Sequence, residues 1–191
     1  MITVENQLFS LHTRHTSYLF RVMETGHLEH LYYGRKIHPA IDGLMEQHAF
    51  APGNTNIYDS EHLQFSLEDA CLEMSSFGKG DIREPFVELT LSDGSETSDF
   101  LFEKFEQGTG KEEFETLPGS YDESGEVEWL GVTLRDKNSG VILELHYYVY
   151  EDCDVITRSA KLINESGDVV KLNRLMSLQL DLEPSDYVFT T

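Results

Sequence analysis

The sequence predicts an all-β, antiparallel β-sandwich on three observations. Apolar and polar residues alternate in short runs, clusters of Asp, Asn, Ser and Gly separate those runs, and no stretch sustains a helical period. Of the 191 residues, 39% are hydrophobic and 11% aromatic, enough to build the core of one domain or of a large piece of one.

The elements follow in chain order. Residues 18–23 and 27–33 alternate on either side of Thr25-Gly26, a hairpin signal. Residues 41–59 hold Pro52-Gly53-Asn54 and no steady period, which reads as a long exposed loop. Residues 87–91 and 96–105 flank Ser92-Asp93-Gly94-Ser95 and predict a second hairpin. Residues 128–135 and 141–150 flank residues 136–140, and residues 155–163 and 169–182 flank residues 164–168. Alternation is clearest in Leu143-Glu144-Leu145-His146-Tyr147 and in Leu178-Gln179-Leu180-Asp181-Leu182, the pattern of strands with one buried face.

Composition narrows the function. A formal charge of -21, from 35 acidic residues against 14 Lys and Arg, excludes a nucleic-acid partner, because phosphate binding needs a basic face. No basic segment leads into an apolar run at the start of the sequence, and no stretch is apolar enough to span a membrane. Cys71 and Cys153 are expected as thiols, and the chain is expected to be cytoplasmic.

Candidate chemistry is sparse. Gly78, Gly80, Asp81, Arg83 and Glu84 precede Pro85 in a polar loop, where the glycines suit positive φ and Arg83 can fork onto Asp81 or Glu84. This is read as a structural brace. His27 and His30, like His12 and His15, have a strand spacing that points the pair to opposite faces, so no metal site is expected. Glu151, Asp152 and Asp154 read as a solvated turn between strands. No nucleophile elbow or phosphate loop is present. Trp129 and seven tyrosines (32, 33, 58, 121, 147, 148 and 150) could form a sugar-stacking platform, but they read more simply as core or sheet-face residues, with Trp129 as a core anchor.

Three stretches carry a resemblance. Gly78-Lys79-Gly80-Asp81-Ile82-Arg83-Glu84-Pro85, the following Asp93-Gly94-Ser95, and Glu151-Asp152-Cys153-Asp154-Val155-Ile156-Thr157-Arg158-Ser159 occur in an order and spacing similar to the N-terminal β-domain of family 36 glycoside hydrolases. With Tyr32-Tyr33-Gly34-Arg35-Lys36 and Leu117-Pro118-Gly119-Ser120-Tyr121, the resemblance covers residues 28–181. It implies that residues 1–191 are part of a larger, supersandwich-like β-domain, with a catalytic (β/α)8 barrel following and absent from this chain. The parent would be a retaining α-galactosidase acting on melibiose- or raffinose-type oligosaccharides. Both catalytic carboxyls would lie on the barrel, and no cofactor or metal is implied.

The resemblance also implies a homotetramer, in which the 41–59 loop lends residues to the active-site rim of a neighbouring subunit. The candidate rim residues are Gln47, His48 and Phe50, although Gln47-His48-Ala49-Phe50 and Met74-Ser75 depart from the family's commoner pattern. The segment alone is expected to be inactive. The alternative is a stand-alone carbohydrate-binding or protein-interaction β-sandwich.

Overall fold

The structure, a computed structural model, describes residues 1–38, 44, 57–112, 119–123, 125–181, 186 and 188. Among the described residues, ten strands form three sheets. The first has the order β1 (Ile2–Glu5), β2 (Leu8–His12), β3 (Thr16–Val22), β4 (Leu28–Arg35); the second pairs β5 (Val87–Thr90) with β10 (Lys171–Leu175). The third runs β6 (Phe100–Thr109), β7 (Glu128–Asp136), β8 (Ile142–Tyr150), β9 (Val155–Ile163). All strand ladders are antiparallel, as the sequence predicts. Among the described residues the helical content is limited to short 3₁₀ turns such as Leu67–Asp69 and Glu151–Cys153.

The core lies between the first and third sheets and is set by period-two alternation. Phe9 and Leu11 of β2, Tyr18 and Phe20 of β3, Leu130, Val132 and Leu134 of β7, and Leu143, Leu145 and Tyr147 of β8 all join one cluster. Phe20 is the bridge: its ring stacks on Phe9 with centroids 4.7 Å apart and on Tyr147 at 5.2 Å.

Several hairpins match the sequence reading. β3 pairs with β4 around Gly26, β7 with β8 around residues 137–141, and β8 with β9 across the 3₁₀ turn at Glu151–Cys153. The sequence signals missed the β1–β2 hairpin, because its two-residue turn uses Asn6 at φ 50° and Gln7 at φ 62°, without the glycine that normally marks such a turn.

Three expectations are corrected. Residues 91–95 do form the tight turn, with Leu91 N donating to Ser95 O at 2.8 Å, yet β5 and β6 do not pair. β5 instead pairs with β10, where Val87 and Leu89 are fully buried, while β6 joins β7. Turn residues specify a reversal of the chain but not the edge that buries the strand. The predicted strand at 169–182 shrinks to Lys171–Leu175. Beyond it, Gln179 and Asp181 take side-chain bonds from Ser75 and Arg83, and Leu180 packs on the core; the alternation there marks docking without a ladder. Trp129 is not in the core: its neighbour Leu130 points inward, so Trp129 takes the outer face of the third sheet.

Candidate functional site

The polar residues singled out above converge on the long connection between β4 and β5. Its leading foot is fixed by Lys36, whose backbone N donates to His15 O at 2.6 Å and whose ammonium donates to Thr13 O at 2.7 Å. Ile37 N adds a 3.0 Å bond to Ser17 Oγ. Where the connection returns, Tyr58 N donates to Phe65 O at 2.8 Å and the Tyr58 hydroxyl donates to Asp99 Oδ2 at 2.9 Å. Gln47, His48 and Phe50 lie outside the described residues, between these two feet.

Three buried carboxylates hold the rest of the connection to the sandwich. Glu73 is the deepest. Its Oε1 accepts bonds from Tyr18 (2.6 Å), Tyr147 (2.7 Å) and Arg158 Nη1 (2.8 Å), and His30 Nδ1 lies 3.1 Å from Oε2. Arg158 Nη2 also donates to Glu73 O at 2.9 Å, while the guanidinium lies over the rings of Phe86 and Tyr147, each 5.2 Å away. The partners come from β3, β4, β8 and β9, so one carboxylate joins the two large sheets. Burial works to raise the Glu73 pKa, but Arg158 and His30 outweigh it and hold the carboxyl below its ordinary value. Burial and the adjacent Glu73 carboxylate push the Tyr18 phenol well above its ordinary value.

Asp99 opens β6 and faces the connection. His27 Nε2 lies 3.0 Å from its Oδ1, and the Lys79 ammonium is 3.8 Å from Oδ2 and 4.9 Å from the centre of the Tyr58 ring. Despite burial, His27, Tyr58 and Lys79 keep the Asp99 carboxyl below its usual range. His27 and His30 thus serve different carboxylates. Among the described residues, no three His, Cys, Asp or Glu side chains are grouped to hold a metal ion.

The third carboxylate, Asp81, sits in the glycine loop. Arg83 grips it with a fork, Nε to Oδ1 at 2.8 Å and Nη2 to Oδ2 at 3.0 Å. The same guanidinium donates to Ala70 O, Leu67 O and Asp181 Oδ2, at 2.8, 3.0 and 2.6 Å. Glu84 pairs with Arg174 of β10 instead of with Arg83. Gly78 and Gly80 have φ values of 96° and 89°. At Gly78 a Cβ would meet Thr97 Oγ1 at 2.5 Å, so both conformation and space require glycine there.

The acidic turn after β8 is a tie between strand ends. Asp154 Oδ1 accepts from Thr13 Oγ1 and His15 N, both at 2.7 Å, and Arg14 pairs with Asp152. The His15 and Thr13 bonds lower the Asp154 pKa to about 2. Carboxylates held ionised and occupied by donors in this way are poor proton donors at neutral pH. Tyr147 lies in the core, one of the two places expected for the tyrosines, whereas Glu73 carried no expectation and Arg158 stood only within a motif. A lone Glu between Leu72 and Met74 and an Arg in an alternating strand carry no local signal of burial.

A model of the glycosyl hydrolase family 36 N-terminal domain matches residues 26–191. The chain belongs to this family. Among curated relatives, the bifunctional alpha-galactosidase/sucrose kinase AgaSK of Mediterraneibacter gnavus is 30% identical over 188 residues, covering 95% of this chain and 19% of the relative. Alpha-galactosidase AgaA of Geobacillus stearothermophilus is 30% identical over 192 residues, covering 96% of this chain and 25% of its own length. Among solved structures, the alpha-galactosidase of Lactobacillus brevis superposes with a TM-score of 0.87 at 34% identity, over 94% of this chain and 25% of that one. A Geobacillus stearothermophilus AgaA variant in complex with raffinose gives a TM-score of 0.88 at 30% identity, with the same coverage of both chains. The family 36 chain described here therefore spans about a quarter or less of the length of these relatives.

Proposed function

We propose that this chain is the non-catalytic N-terminal β-domain of a retaining α-galactosidase that removes terminal α-D-galactosyl residues from melibiose- and raffinose-type oligosaccharides. The observation that carries the reading is coverage: 94% of the chain superposes on a quarter of a solved α-galactosidase at a TM-score of 0.87. The catalytic carboxyls then belong to a (β/α)8 barrel that follows this region, where barrel enzymes place their chemistry at the C-terminal ends of the strands. Neither a cofactor nor a metal enters this reading.

Within that enzyme the domain acts as a scaffold. Gly78, Gly80, Asp81, Arg83 and Glu84 brace the β4–β5 connection, since Arg83 alone reaches residues 67, 70, 81 and 181. Gln47, His48 and Phe50, which fall in the sequence between the fixed Lys36 and Tyr58, are assigned to the substrate rim of a neighbouring subunit in a cytoplasmic homotetramer.

Assaying an aryl α-galactoside with the 191-residue chain and with its natural longer form tests this reading. Turnover is expected only from the longer form. Hydrolysis by the 191-residue chain, or none by a folded longer one, would overturn the proposal.

A further inference from the structure

Trp129 is the sole tryptophan of the chain, and it is placed where the core does not use it. On the outer face of the third sheet the ladder builds three cross-strand rows. Gly108, Trp129 and Tyr148 form one, Glu106, Gly131 and His146 the next, and Lys104, Thr133, Glu144 and Lys161 the third. Two glycines shape this surface. A Cβ at Gly108 would lie 2.9 Å from the indole Nε1 and 3.0 Å from Cε2, so the bare backbone of β6 is what lets the ring rest against it. A Cβ at Gly131 would sit 3.6 Å from Trp129 Cζ3 and 4.0 Å from His146 Nδ1; its absence opens a hollow between indole and imidazole. The resulting cleft encloses about 550 Å³, the size of a small-ligand site.

The described charges of the cleft balance. Among the described residues, three lysines and three glutamates line it, on a chain whose formal charge is -21. Lys104 Nζ lies 2.8 Å from Glu106 Oε1, and Glu144 Oε2 lies 3.4 Å from both Lys161 Nζ and His146 Nε2. Balanced in this way, the described side chains exert no net attraction on a cation or an anion, yet they offer dense donors and acceptors beside an aromatic ring. That combination matches a neutral polyhydroxylated ligand, whose apolar C–H face lies on the ring while its hydroxyls bond to charged side chains.

We propose that this cleft is a non-catalytic binding site for a neutral oligosaccharide, with one sugar ring on Trp129 and hydroxyls of the adjoining unit on Glu106, His146 and Glu144. The site is built on β6–β9 and on residues 110–112 just after β6, so it goes beyond the scaffold role and stands or falls separately from the α-galactosidase reading.

Trp129 supplies the reporter. The 191-residue chain is titrated with stachyose and with maltotetraose while tryptophan emission is followed, and a saturable change with a Kd of about 1 mM or tighter is expected for at least one sugar. Gly131→Leu fills the hollow but keeps the indole, and should abolish saturation. Glu106→Ala and His146→Ala, on side chains at the cleft surface, should each weaken binding about five- to tenfold with unchanged circular dichroism. A response that stays linear through about 50 mM of both sugars would overturn the proposal, since that range exceeds any useful affinity. Saturation unaltered in both His146→Ala and Glu106→Ala would also overturn it. So would an emission change that follows protein concentration and not sugar, which would mark the cleft as a contact between two copies of the chain.

Discussion

Arg158 and Glu73 show how much one buried pair can hold together. Both side chains are almost entirely enclosed, at 6% and 0% exposure, so removing the cation strands a carboxylate whose other donors are two phenols and His30. Arg158→Met should therefore destabilise the chain by about 3–5 kcal/mol, measured by urea denaturation. Adding Glu73→Leu should recover a large part of that loss, because two apolar groups of suitable size leave no buried charge. A double variant no more stable than Arg158→Met would show that the pair's contribution lies in the Tyr18 and Tyr147 bonds instead.

At the scale of elements, the first hairpin carries a conformational cost the sequence did not advertise. Gln7 at φ 62° holds a left-handed conformation that a side chain disfavours. Gln7→Gly should raise stability by about 1 kcal/mol, seen as a higher thermal midpoint, because relief of the left-handed strain outweighs the added freedom of the unfolded chain. No change or a loss would mean that Gln7 makes compensating contacts. β3–β4, β7–β8 and β9 follow from alternation and turn residues, since period-two burial is written locally. The β5–β10 pairing was not legible, because Val87 and Leu89 find their edge on a strand about 80 residues away, and no local pattern encodes that choice. The brace was legible in part: the Gly78, Gly80, Asp81 and Arg83 pattern announced an ordered loop, but not its reach to Leu67, Ala70 and Asp181.

Across the whole molecule, stability is tied to acid pH through carboxylates that link distant parts of the chain. Glu73, Asp99 and Asp154 all have depressed pKa values, against ordinary values of 4.5, 3.8 and 3.8. A carboxyl with a lowered folded pKa contributes fully above its unfolded value and loses that contribution as pH falls through the folded one. Stability should thus hold from neutrality down to the ordinary carboxyl range and fall below it, towards the Asp154 value of about 2. Denaturant midpoints measured from pH 7 to pH 2 check this, and a loss already complete at pH 5 would contradict it. The all-β class, the main hairpins and the family were legible before any folding, because alternation, turn residues and contiguous motifs are local properties of a chain. Tertiary structure alone decided that Trp129 faces outward, that β5 pairs with β10, and that Glu73 gathers four partners. Each of these depends on which sheet faces which, and such distant juxtapositions are set by the packing of the whole core.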